Sequence, residues 1–202
     1  MQLRFISVPA LIAEAGGDPW AINNSLQAGS PAHVSDLAAA FHTAGRSTAE
    51  ADHSFDMARR RFDAAWNHQN GDHPINDSAE VQRVTTSPGA QSLQLPKIAA
   101  DLEGIAASLA EAQKSAAGQI ATLDAQLVQL DDLIGQALQL EHDPNLSAAD
   151  RDALNTLIAN CEEDAIADTK AAVAHIESVR TGYSNCLQTS LTTLRTDGYD
   201  PT

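Results

Sequence analysis

The chain has 202 residues, 43% of them hydrophobic and only 4% aromatic, with a formal net charge of -15. Its apolar content is mostly Ala and Leu, strong helix formers, rather than the β-branched and aromatic residues of sheets, so an all-α fold is expected. Such acidity repels phosphate backbones and anionic lipid surfaces, and no stretch approaches the ~18 apolar residues that span a bilayer, so neither nucleic-acid binding nor stable membrane insertion is expected.

The charge is uneven. Residues 1–70 hold five Lys/Arg and seven Asp/Glu, and residues 71–202 hold seven and twenty. That pattern reads as a solvated acidic helix surface. Met1 to Ala13 carries one Arg and a short apolar run, but Pro9 interrupts the run and Glu14 follows closely, unlike a secretory signal.

In chain order, the first thirty residues read as short elements. Asp18-Pro19-Trp20 is a helix start, with Asp as N-cap and Pro in the first turn. That helix carries Trp20, Ile22 and Leu26 and stops near Gly29. Ser30-Pro31 repeats the signal and opens a helix expected to stop around Asn67 to Asn70. Its apolar seam is Val34, Leu37, Phe41, Ala44, Thr48, Ala51, Phe55, Ala58, Phe62 and Ala65, spaced alternately by three and four. Asn76-Asp77-Ser78 offers another N-cap, and Ser87-Pro88-Gly89 is expected to break the helix that follows. Pro96 is expected to begin or kink the next one.

From Ile98 the seam is regular again: Leu102, Ile105, Leu109, Ala112, Ala116, Ile120, Leu123, Leu127, Leu130, Ile134, Leu138. Gly104, Gly118 and Gly135 lie inside it, either as points of close helix approach or simply tolerated. His142-Asp143-Pro144-Asn145 is a turn. Ser147 with Asp150 opens a last helix to about Arg195, with a seam of Leu154, Ile158, Cys161, Ala165, Ala172, Ile176, Val179, Tyr183, Leu187, Leu191 and Leu194. One turn, around Asp168 and Thr169, lacks an apolar seam residue. A short turn between long amphipathic helices implies antiparallel neighbours, so residues 98–140 and 147–195 are expected to form a hairpin. The fold expectation is an all-α, elongated helical bundle with a long antiparallel coiled-coil hairpin. Its segments are 1–76, an N-terminal helical region; 77–196, the hairpin; and 197–202, the start of a linker.

Candidate chemistry is sparse. Cys161 and Cys186 fall on one helix, roughly 37 Å apart at 1.5 Å per residue, too far for a disulfide. His68, Asp72 and His73 flank a turn, and His142 adjoins Asp143, but neither group has a defined metal-ligand spacing. Asp131-Asp132 and Glu162-Glu163-Asp164 read as solvated faces, because i and i+1 do not share a helix face. Asp164 and Asp168 do share one, and repel mildly. Phosphate loops, Gly-x-Ser-x-Gly, His-Glu-x-x-His and Cys-x-x-Cys are absent from the sequence. No catalytic, cofactor or metal residue is expected. Trp20, Phe55, Phe62 and Trp66 are the candidate docking or turn-closing residues, aromatics being enriched at interface hot spots.

Several segments taken together resemble a known family: Gly16-Gly17-Asp18-Pro19-Trp20-Ala21-Ile22-Asn23, Gly29-Ser30-Pro31, Phe62-Asp63-Ala64-Ala65-Trp66 and His73-Pro74-Ile75-Asn76-Asp77-Ser78. They look like the N-terminal helical region of large mycobacterial proteins labelled α/β-hydrolases or type VII (ESX) secretion substrates, similar to WxG and LXG modules. The resemblance implies a non-enzymatic targeting or pairing module that binds a helical partner or the secretion machinery. It further implies a cytoplasmic location before export and a secreted or envelope location after it. The chain departs from the WxG pattern, since Trp20 precedes Ala21-Ile22 and Trp66 precedes Asn67-His68. A Tyr-x-x-x-Asp/Glu signal is missing too, Leu187 standing four residues after Tyr183, so a partner would supply it. The alternatives are an accessory domain of a larger hydrolase or toxin, and a coiled-coil homodimer.

Overall fold

The local signals at Asp18, Ser30 and Ser147 hold in three dimensions, and the cap expected at Asn76-Asp77-Ser78 lies outside the described residues. The computed structural model describes residues 2–66 and 79–198; Phe62, Asp63, Ala65, Trp66 and residues 79–91 are described at the backbone alone. Five helices follow one another: α1 Val8–Ala15, α2 Pro19–Gln27, α3 Pro31–Trp66, α4 Ala79–Glu141 and α5 Ala148–Thr196. No strand occurs among the described residues, and the fold is an all-α helical bundle. Asp18 caps α2, its Oδ1 accepting from Ala21 N–H at 2.9 Å. Ser30 Oγ accepts from His33 N–H at 3.3 Å at the start of α3. At α5, Asp150 N–H donates to Ser147 Oγ at 3.2 Å and Ser147 Oγ donates back to the Asp150 carboxylate at 2.6 Å. Each cap satisfies amides that the first helical turn leaves without a partner. No described helix is long and apolar enough to cross a membrane.

One expectation fails in α4: the helix is not broken at Ser87-Pro88-Gly89, and it does not begin at Pro96 but runs through it. A helix-interior proline loses one N–H bond and crowds the preceding turn. Pro96 has a compensating partner. A Cβ on Gly45 of α3 would lie 3.0 Å from Pro96 Cδ and 3.1 Å from Cγ, so the bare glycine makes room for the ring.

The chain divides into two compact units, both drawing on α4 and α5. The sequence boundary near residue 76 lies outside the described residues.

Unit 1 comprises Met1–Gly29 and Leu109–Asn185. Its main cluster joins Ile6 and Leu11 to Leu123, Leu127 and Ile134 of α4 and to Cys161, Ala165 and Ala172 of α5. A second joins Leu26, Ala116 and Ile176. Residues early in this part of α4 share clusters with residues late in α5, as antiparallel packing across a short turn requires. The turn of α5 that lacks an apolar seam residue is filled by Thr169. It is wholly buried, and its hydroxyl donates to the Ala165 carbonyl at 2.7 Å. The hydroxyl is thereby satisfied locally, which lets a polar residue occupy the seam.

Unit 2 comprises Ser30–Ser108 and Cys186–Thr202. Ala38 of α3, Ile98 and Leu102 of α4 and Leu194 of α5 form its core, flanked by Val34, Phe41 and Ile105. Here the expected α3 seam is displaced by one residue at alternate positions. Val34, Phe41 and Thr48 face inward as expected, but Ala38, Gly45 and Asp52 accompany them. Leu37 and Phe55 stay exposed, at 46% and 43%, as do Ala44, Ala51 and Ala58. Close approach to Pro96 requires small residues on the packed face, and that outweighs the larger transfer energy of burying Leu37.

Candidate interaction site

Three polar side chains of α4 organise the N-terminal residues of unit 1. Gln113, Asp124 and Asp131 are spaced by eleven and seven, close to three and two helical turns, so all three project from one face. Gln113 Nε2 donates to the carbonyls of Leu26 at 2.9 Å and Gly29 at 2.8 Å, closing the C-terminal end of α2. Asp124 Oδ1 accepts from the indole N–H of Trp20 at 2.9 Å. Asp131 accepts three backbone N–H groups: Arg4 on Oδ2 at 2.9 Å, and Phe5 and Ile6 on Oδ1 at 2.8 Å each.

Asp131 was expected on a solvated face, yet it is only 4% exposed. Its neighbour Asp132 is exposed, so the doublet splits between inside and outside. Burial alone would raise the Asp131 carboxyl. The three backbone donors and the Arg4 charge outweigh it and hold the group below the ordinary carboxylate value. The anion is therefore a structural latch on residues 4–6. Gly135, one turn further along α4, lies beneath the latched segment. A Cβ there would come within 2.7 Å of the Phe5 ring, so this glycine serves close approach. Gly104 and Gly118 have nothing near them and are simply tolerated.

The latched segment walls a cleft of about 250 Å³ between α1 and α5. Phe5, Ile6, Ala10, Leu11, Ala165 and Ile166 line it, and Glu14 of α1 and Glu162 of α5 add two carboxylates. A second, more open groove of about 310 Å³ carries Gln126, Gln129, Asp164 and Asp168. Burial, then the Asp164 charge, pushes the Asp168 carboxyl up, as their i and i+4 spacing implies.

Trp20 is half-buried against the main cluster of unit 1, with its ring on the core and its N–H on Asp124. Phe55 belongs to unit 2 and is exposed on α3, close in sequence to Met57 at 38% exposure. Phe62 and Trp66 end α3, and their side chains lie outside the described ones. Gln113, Asp124 and Asp131 escaped sequence reasoning, because a polar residue on an apolar helix looks the same whether it faces solvent or a backbone amide. The shared-face spacing is the signal that could have found them.

Conventional chemistry has little to work with. Ser115 Oγ and His175 Nε2 lie 3.3 Å apart, a nucleophile-to-base distance, but both are on open helix surface and neither lines a cleft described above. Both cysteines are free; Cys161 is buried, and burial followed by the Asp164 charge pushes its thiol up, away from the reactive thiolate. No three potential metal ligands gather among the described residues, while His68, Asp72 and His73 lie outside them.

Comparison with known proteins adds identity to this geometry. The hydrolase N-terminal helical domain family matches residues 1–195. Two uncharacterized proteins of Mycobacterium tuberculosis, one from strain CDC 1551 and one from strain H37Rv, are each 64% identical over 200 residues. The alignment covers 99% of this chain and 30% of each relative, so the chain spans about a third of their length. No solved structure matches.

Proposed function

The chain belongs to the hydrolase N-terminal helical domain family, and from that premise we propose that it is a non-enzymatic docking module within a larger protein. One observation carries the reading. On α3 Leu37 and Phe55 face solvent, while Ala38 and Gly45, with Val34 and Phe41, face the core. An apolar stripe left uncovered by its own chain is a surface for another helix. In this reading Phe55 is a docking residue, joined by Phe62 and Trp66 at the end of α3, while Trp20 closes α2 onto α4. Any hydrolase activity of the longer protein belongs to another part of it.

The partner is a small helical protein or a component of type VII secretion, and the module targets or pairs the protein for export. The resemblance of the N-terminal segments to WxG and LXG modules supports this assignment, and the mycobacterial origin of the relatives is compatible with it. The test expresses the tagged chain in a mycobacterial host, alone and with neighbouring gene products. Export from cells with intact type VII secretion, lost when that system is disabled and lost in a Leu37→Ser/Phe55→Ser double variant, is the expected result. Retention in every condition overturns targeting. Light scattering decides pairing: a mass that stays at the monomer's 21.3 kDa with every co-expressed candidate overturns it, and a self-dimer transfers the role to homodimerisation.

A further inference from the structure

The cleft between α1 and α5 has no role in the α3 docking surface, and its chemistry points to a particular occupant. We propose that it seats one apolar side chain of a partner helix, flanked on that helix by Lys or Arg. This rests on the docking reading and adds a second, separate contact to it.

Size comes first. A cleft of about 250 Å³ holds roughly eight waters at ~30 Å³ each. That suits a single Leu, Ile, Met or Phe side chain and is below the ~300–1,000 Å³ typical of drug-sized ligands. The walls are apolar, so displaced water favours an apolar occupant. Ala10, exposed on α1, and Ala165, on the core side, leave the space that larger residues would fill.

Charge comes second. The cleft contains Glu14 and Glu162 and no Lys or Arg. Among the described residues neither carboxylate has an ion-pair or hydrogen-bond partner. The whole chain carries -15, and unit 1 alone holds fifteen Asp/Glu against five Lys/Arg. An anionic or neutral apolar segment would gain nothing from this rim. A cation one helical turn from the anchor residue would meet it.

Preorganisation comes third. Phe5 and Ile6 form one wall, and both of their amides are bound to Asp131. The wall is set before any partner arrives, so binding does not have to order it.

The experiment measures anisotropy of a labelled, amphipathic helical peptide of about 20 residues, Leu on one face and Lys on the other, at about 0.15 M salt. Two companions replace every Lys by Glu, or every Leu by Ala. The Leu/Lys peptide is expected to bind at least about tenfold more tightly than either companion. Ala10→Phe, which fills the cleft from the exposed side, and the double variant Glu14→Gln/Glu162→Gln are each expected to weaken binding about fivefold or more. Glu163→Gln, outside the cleft, is expected to change it less than about twofold. Circular dichroism checks that each variant is folded, and the carboxylate variant stands alone if Ala10→Phe is not. No binding, equal binding of the Lys/Ala peptide, or equal loss in Glu163→Gln overturns the proposal. Leu37→Ser/Phe55→Ser separates the two readings. If it abolishes export while leaving peptide binding intact, the α3 surface and the cleft act separately, and failure at the cleft leaves the α3 reading standing.

Discussion

Two aspartates on α4 receive opposite treatment in the two units. In unit 1, Asp131 is buried and accepts three backbone amides, which hold its carboxyl below the ordinary value. In unit 2, Asp101 has a buried Oδ2 with no hydrogen-bond partner, and burial together with the Asp197 charge pushes its carboxyl up. Lys97 lies 3.7 Å from Asp197 and is itself largely exposed. What decides whether an inward carboxylate stabilises a helical bundle is the supply of donors, since burial raises both groups alike.

Four substitutions test that contrast. The largest effect is expected from Leu127→Ala in the wholly buried centre of unit 1, which should cost about 3 kcal/mol in denaturant unfolding. Next, Asp131→Ala strips the donors of their acceptor and should cost about 2 kcal/mol. Hydrogen exchange should then accelerate at Arg4, Phe5 and Ile6 while the α5 seam stays protected. Slow exchange at those three amides in the variant would show that the latch is not what orders them.

Asp101→Asn should act in the opposite direction and stabilise by about 0.5 kcal/mol at neutral pH. Acidity sharpens the pair. A lowered folded pKa means that the Asp131 contribution is complete above the ordinary carboxylate value of 3.8 and disappears as pH falls through the lower folded value. A raised folded pKa means that the Asp101 penalty is complete at neutral pH and shrinks as pH falls through a value above 3.8. Thermal melts across this range should therefore show the Asp101→Asn advantage fading first and the Asp131→Ala deficit persisting to lower pH. The reverse order would refute the assignment. Smallest of all, Phe55→Ser should leave stability within about 0.5 kcal/mol, because the side chain already faces solvent. Its effect should appear only in partner binding or export.

Most of the helical architecture was legible in the sequence. Helix starts at Asp18, Ser30 and Ser147 follow from short-range capping chemistry, and the α4 and α5 seams follow from the 3.6-residue period. The burial of Ala116, Leu123 and Leu127 matches that period residue by residue. The α3 seam was misphased because Leu37 and Phe55 are more hydrophobic than Ala38 and Gly45, and periodicity cannot see that a proline ring on another helix demands small neighbours. The continuity of α4 through Ser87-Pro88-Gly89 was hidden as well, because a Pro-Gly pair is locally a break signal. Asp131 looked like solvated charge, because its donors lie more than a hundred residues earlier and are backbone groups, which any sequence supplies.

The polar stripe on α4 sets a strict condition on length. Gln113, Asp124 and Asp131 work together because whole helical turns separate them. One residue inserted between Asp124 and Asp131 would swing the latch by about 100° and slide it about 1.5 Å along the axis. Trp20 and the end of α2 would stay held while residues 4–6 lost their acceptor. In this stretch the chain can accept exchanged side chains far more readily than a changed count of residues.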